Sequence, residues 1–126
     1  METKVSKDEM ATLPYIIAVD FDGTLVEDRF PKIGALKENV WIDMRRARAA
    51  GAKIILWTSR DHENLKDAVE FCRALGFEFD AVNENLKETR DMFNNDTRKV
   101  YANEYWDDKA VRCYCISEDS PFLSKL

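Results

Sequence analysis

The sequence predicts an α/β fold, a three-layer parallel sheet with helices on both faces, and two observations carry that prediction. Tyr15-Ile16-Ile17-Ala18-Val19 and Lys53-Ile54-Ile55-Leu56-Trp57 are strand-length apolar runs without polar alternation, as expected of strands covered on both faces. Between and after them lie helix-length stretches whose apolar residues recur every three or four positions, which is the pattern of right-handed βαβ crossovers. With 126 residues, 45% of them hydrophobic, the chain has material for one core.

Residues 1–13 are polar, mixed in charge and without a sustained period, and read as a loose leader ahead of a single domain over 14–126. The first apolar run ends in Asp20-Phe21-Asp22-Gly23-Thr24, where Gly23 breaks the strand and permits a sharp turn. A helix is expected over 37–50, with Leu36, Val40, Met44 and Ala47 as its apolar stripe and Gly51 as its stop. The second strand, 53–57, leads into Thr58-Ser59-Arg60. Asp61 then stands as a helix cap, followed by a stripe of Leu65, Val69, Cys72 and Leu75 that Gly76 closes. A third strand follows over 77–82. The polar stretch 83–98 reads as a loop with one helical turn. A fourth strand is expected over 100–106, although Asn103 and Glu104 interrupt it, a fifth over 112–116, and a tail over 117–126.

The formal charge of −5, with no dense Lys/Arg cluster, argues against strong nucleic-acid binding. No apolar run reaches the roughly 18 residues of a membrane span, and the first eight residues lack the apolar segment of a signal peptide. A soluble cytoplasmic protein without membrane contact is the expectation. Cys72, Cys113 and Cys115 are odd in number and lack a zinc-site spacing, so they read as reduced and structural.

In open parallel sheets, ligands bind beyond the carboxyl ends of the strands, where strand order reverses. Those ends carry Asp20 and Asp22, Thr58 and Ser59, and Asp107 and Asp108, with Lys99 just before the fourth strand. Four converging carboxylates repel unless a cation sits among them, and hard oxygen ligands suit Mg²⁺. Phosphoryl transfer needs such a cation together with donors for the phosphoryl oxygens, which Lys99, the Thr58 hydroxyl and turn N–H groups can supply. Asp20, at the tip of the buried strand, is the natural nucleophile for an aspartyl-phosphate. Asp22, two residues on, can face the leaving-group oxygen as general acid and base.

At these residues the chain resembles the haloacid dehalogenase (HAD) superfamily. Ile16-Ile17-Ala18-Val19-Asp20-Phe21-Asp22-Gly23-Thr24-Leu25 is similar to its first motif, Ile54-Ile55-Leu56-Trp57-Thr58 to its second, Lys99 to its third, and Asp107-Asp108 to the paired-Asp form of its fourth. The agreement spans roughly residues 15–112, and the nearest likeness is to small capless members with an ILWT second motif and an RK.YA....DD segment. The strand before the fourth motif is less uniformly apolar here than is usual. The resemblance implies a Rossmann-like fold and Mg²⁺-dependent phosphatase chemistry. Asp20 is then nucleophile and metal ligand, and Asp22 acid/base with its carbonyl on the metal. Thr58 and Lys99 hold phosphate, Lys99 with Lys53, Lys87 and Lys109 as rivals near it in sequence or space, and Asp108 is the preferred direct metal ligand at its strand end, with Asp107 in a supporting role.

The spare segments, 26–35 and 83–98, are too short for a separate cap domain, so the site is expected to be open. Its phosphorylated substrate is then either large or enclosed by a second copy of the chain. The segment Asp28-Arg29-Phe30-Pro31-Lys32-Ile33-Gly34 reads equally as lining the entrance or as an ordinary surface connection. Arg60 and His62 read either as substrate contacts or as surface side chains. Two other readings compete with a phosphomonoester hydrolase. A phosphate- or metal-binding protein with weak or no catalysis is one, disfavoured by the presence of both Asp20 and Asp22. A receiver-like signalling module is the other, disfavoured because its acidic pair would come first rather than late.

Overall fold

A computed structural model describes residues 4–113, 120 and 123–125. In chain order a single-turn helix α1 (Lys7–Met10) precedes strand β1 (Ile16–Val19), and strands β2 (Val26–Arg29) and β3 (Lys32–Leu36) form a hairpin. Then come helix α2 (Glu38–Ala49), strand β4 (Lys53–Leu56), helix α3 (His62–Ala74), strand β5 (Ala81–Val82), helix α4 (Lys87–Phe93) and strand β6 (Glu104–Trp106). The central sheet is parallel with order β5-β4-β1-β6. Strand order reverses at β1, because the chain steps outward through β4 and β5 and then returns to β6 on the other side. No helix among the described residues is long and apolar enough to cross a membrane.

The two continuous apolar runs are strands because each of their faces meets a core. Ile17, Val19, Ile54 and Leu56 pack with Phe21, Trp41, Met44, Ala68, Cys72 and Phe77 under α2 and α3. Ile16, Ala18 and Ile55 face the other way, against Leu86, Val100 and Ala102. Burial pushes the Cys72 thiol up to about 12, which keeps it an inert packing group. Trp41 is nearly fully buried and donates its indole N–H to Leu25 O at 2.8 Å, tying α2 to the turn that follows β1.

Several elements differ from the sequence expectation, each for a local reason. The leader is not loose throughout, since the Ser6 hydroxyl and the Glu9 carboxylate form a capping box that starts α1. The segment 26–35 is an antiparallel hairpin rather than a loop. Gly34 permits it, because a Cβ there would stand 2.2 Å from Glu27 O across the pair. The third strand shrinks to Ala81–Val82 because the Asp80 carboxylate takes the Ile54 N–H and an Arg48 N–H, both at 2.8 Å. The fourth shrinks to Glu104–Trp106 because the Tyr101 N–H goes to Asn85 Oδ1 (2.7 Å) and the Ala102 N–H to the Tyr105 hydroxyl (3.2 Å). Buried Asn85 also donates to Asp96 Oδ1 at 2.8 Å, folding the polar stretch around α4, which has seven residues rather than one turn. Leu75 caps α3 with more than a third of its surface exposed, so the stripe is completed by Ala68 instead. Arg112 and Cys113 are not strand; the rest of the predicted fifth strand, with Cys115 and most of the tail, lies outside the described residues.

Candidate active site

The reversal of strand order at β1 brings two carboxyl ends, those of β1 and β6, side by side. The Asp20 N–H continues the ladder by donating to Trp106 O at 2.9 Å, which fixes Asp20 next to Asp107 and Asp108. Beyond Asp20 the chain turns tightly, with the N–H groups of Thr24 and Leu25 both converging on Phe21 O. Gly23 holds a φ of +89°, and a Cβ at that position would meet Asp108 Oδ2 at 2.3 Å. The absent side chain is what lets the two strand ends close on each other. Thr24 bridges them: its hydroxyl accepts the Asp108 N–H at 3.0 Å and donates to Asp20 Oδ2 at 3.4 Å.

Each of Asp20, Asp107 and Asp108 offers a carboxylate oxygen within 4.8 Å of the others. Burial, then the negative charges of Asp107 and Asp108, push the Asp20 carboxyl up to about 6, against hydrogen bonds from the Phe21 N–H and Thr24 that favour its ionised form. The donor set is all oxygen. His62 is exposed on the outer surface beside Asp61, 3.9 Å away, and Cys72 is in the core, so the set fits a hard divalent cation such as Mg²⁺.

Asp22 stands apart from this cluster. Both its carboxylate oxygens accept from Arg60, Nε to Oδ2 at 2.7 Å and Nη2 to Oδ1 at 2.8 Å. Arg60 is neither a surface residue nor available for substrate. It is 2% exposed, and its remaining N–H groups donate to Lys32 O (3.0 Å), Pro31 O (3.2 Å) and Asn64 O (3.2 Å). All five donors are therefore satisfied within the chain. The guanidinium also lies 5.0 Å from the Phe21 ring centroid and 5.1 Å from that of Phe30, so it joins the turn after β1 to the tip of the β2–β3 hairpin.

A cleft of about 360 Å³ opens here, lined by Asp20, Asp22, Asp28, Phe30, Thr58, Ser59, Arg60, Asp107 and Lys109. Thr58 and Ser59 thus reach it as their strand-end position requires. Asn83 holds their turn: Asn83 Oδ1 accepts the Thr58 N–H at 2.8 Å, with φ +52° at Asn83 itself. Lys99, expected as the phosphate-holding cation, does not line the cleft; its ammonium lies 5.3 Å from the Tyr105 ring centroid. Lys109 lines the cleft instead, 3.5 Å from Asp108 Oδ2 and 4.0 Å from Asp28 Oδ2, with its ammonium held above the usual lysine range first by Asp108. Arg29 pairs with Glu27 at 3.4 Å on the exposed hairpin, and it and His62 are also absent from the lining. The sequence offers Lys109 as one of three rivals to Lys99, and it is the one that follows the Asp pair directly; Asn83 goes unnamed there, although it follows the β5 strand end.

No family model matches the sequence, and no curated protein matches it. Among solved structures, a conserved protein from Bacteroides thetaiotaomicron is similar: it is 40% identical, the match covers 76% of this chain and 77% of that one, and the TM-score is 0.68.

Proposed function

The chain belongs to the family of that conserved Bacteroides thetaiotaomicron protein, and from the geometry of its cleft we propose that it is a HAD-type, Mg²⁺-dependent phosphomonoester hydrolase. One observation carries the reading. Where strand order reverses, Asp20 and Asp107, Thr58 and Ser59 beyond β4, and Lys109 line a single cleft, and Asp108 completes the carboxylate cluster at its edge. Asp20 is the nucleophile: its oxygen attacks phosphorus, the bond to the leaving-group oxygen breaks, and an aspartyl-phosphate forms. Water then attacks that phosphorus, releasing inorganic phosphate and restoring the Asp20 carboxylate. Thr58, Ser59 and Lys109 supply donors for the phosphoryl oxygens. Mg²⁺ held by Asp20, Asp107 and Asp108 would neutralise charge on those oxygens.

In this reading Asp22, two residues after the nucleophile, passes a proton to the leaving oxygen once its carboxylate has turned out of the Arg60 fork and taken up a proton from solvent. That fork favours a second reading, in which the cleft binds a metal or phosphate and turns over slowly. Steady-state hydrolysis of a panel of phosphomonoesters, with Mg²⁺ and with chelator, separates the two. Chelator-sensitive turnover that falls at least about a thousandfold in Asp20→Asn is expected; near-background rates across the panel favour the binding protein, and full activity in Asp20→Asn removes the mechanism.

A further inference from the structure

The hairpin tip places a large apolar side chain where an ordinary surface turn would not keep one. Phe30 is 54% exposed, yet it lines the same cleft as Asp20 and Thr58. Its backbone is held by the Phe30 N–H, which donates to Asp28 Oδ1 at 3.3 Å. Its ring is held by Arg60, whose guanidinium lies 5.1 Å from the centroid and is itself fixed by five hydrogen bonds and by the Phe21 ring, whose centroid is 5.0 Å away. The guanidinium thus has both the Phe21 and the Phe30 ring within about 5 Å, and of the two it is Phe30 that lines the cleft. An aromatic fixed before a ligand arrives loses little rotamer freedom on stacking, so the contact yields most of its intrinsic value. The other cleft walls offer carboxylates, hydroxyls and Lys109, which leaves Phe30 as the apolar element among the lining residues.

We propose that Phe30 is the specificity-determining residue of this cleft and that it selects phosphomonoesters whose leaving group is flat and apolar, such as aryl phosphates, over those with flexible alkyl or polyol groups. The inference rests on the phosphomonoesterase reading for the chemistry, but its recognition step is measurable without turnover. Isothermal titration in Mg²⁺ with two non-hydrolysable probes, phenylphosphonate and n-butylphosphonate, compares a flat group with a flexible apolar one on the same phosphonate. The wild-type chain should bind phenylphosphonate about three- to tenfold more tightly, the range of one aromatic stack. Phe30→Ala should bring the two probes within about twofold, while Phe30→Trp should keep the preference. The ring is largely exposed, so these variants should fold, which circular dichroism checks. Equal affinities in the wild type, a preference that survives in Phe30→Ala, or binding of neither probe overturns the proposal. Selective binding with no hydrolysis of phenyl phosphate would retire the hydrolase reading and keep this one; hydrolysis with no preference for flat groups would do the reverse.

Discussion

Two carboxylate settings lie two residues apart on one turn and are built on opposite principles. Asp22 has its own guanidinium, and Arg60 in turn has an acceptor for every N–H. Asp20 has Asp107 and Asp108 as neighbours, and its carboxyl is pushed up to about 6 by burial and by their charge. The first setting is complete within the chain and holds the hairpin in place. The second sets three carboxylates against the single Lys109 ammonium 3.5 Å from Asp108, an excess of negative charge that further positive charge would relieve, the usual condition of a site that awaits a ligand. The lesson is that acidic residues near one another are not equivalent: the unsatisfied ones mark where chemistry is expected, and the satisfied one shows what holds that chemistry in place.

The strongest way to break this contrast is to remove the compensated side. Arg60→Ala would leave the Asp22 carboxylate without its partner and strip donors from three backbone carbonyls, which should cost about 3–5 kcal/mol in denaturant unfolding. Arg60→Lys keeps charge but loses the fork, so about half of that loss is expected. A change under about 0.5 kcal/mol in Arg60→Ala would show that the hub is not structural.

Gly23→Ala attacks the junction of the two settings. Its φ of +89° strains any L side chain, and the new Cβ would collide with Asp108 Oδ2. A loss of about 2–3 kcal/mol is expected, together with weakened Mg²⁺ binding, because Asp108 must move. Unchanged stability and unchanged Mg²⁺ affinity would contradict the close approach.

Asp20→Asn should act in the opposite sense and stabilise the metal-free chain. The folded pKa is raised to about 6 from an unfolded value near 4, so the wild-type stability is fully present below about pH 4 and is lost as pH rises through about 6. Asp20→Asn lacks that loss. Its advantage should be near zero at pH 4, grow between pH 4 and 6, and level off at about 1–2 kcal/mol above. A flat difference across that window would show that Asp20 is not destabilised by its neighbours. The smallest effect is expected for Thr24→Val, which removes the hydroxyl joining the Asp108 N–H to Asp20 and should cost about 1 kcal/mol.

The strand-end chemistry was legible in the sequence because a strand's last residues point to a predictable place. Asp20, Thr58, Ser59 and Asp107 reach the cleft, and Asp108 joins its carboxylate cluster, for that reason. What stayed hidden depends on side chains that take over backbone bonding. Asp80 and Asn85 shorten the third and fourth strands by capturing N–H groups, and no periodicity announces this. Arg60 was misread because three of its partners are carbonyl oxygens, at Pro31, Lys32 and Asn64, and every residue type offers one of those. The hairpin was missed because its apolar alternation is weak, with only Val26 of β2 buried. Lys99 and Lys109 differ by which side of β6 they precede or follow, and only the following one continues from the carboxyl end into the cleft.

The contrast itself is tested most directly by following the thermal unfolding midpoint during a Mg²⁺ titration at pH 7.5 in the wild-type chain, Asp20→Asn and Asp108→Asn. For a site of about millimolar affinity, 10 mM Mg²⁺ should stabilise the wild type by about 1.4 kcal/mol and raise the midpoint by roughly 3–6 °C. The two variants should show little of that rise. An equal rise in all three, or none in the wild type, would contradict the assignment of the unbalanced carboxylates to a cation.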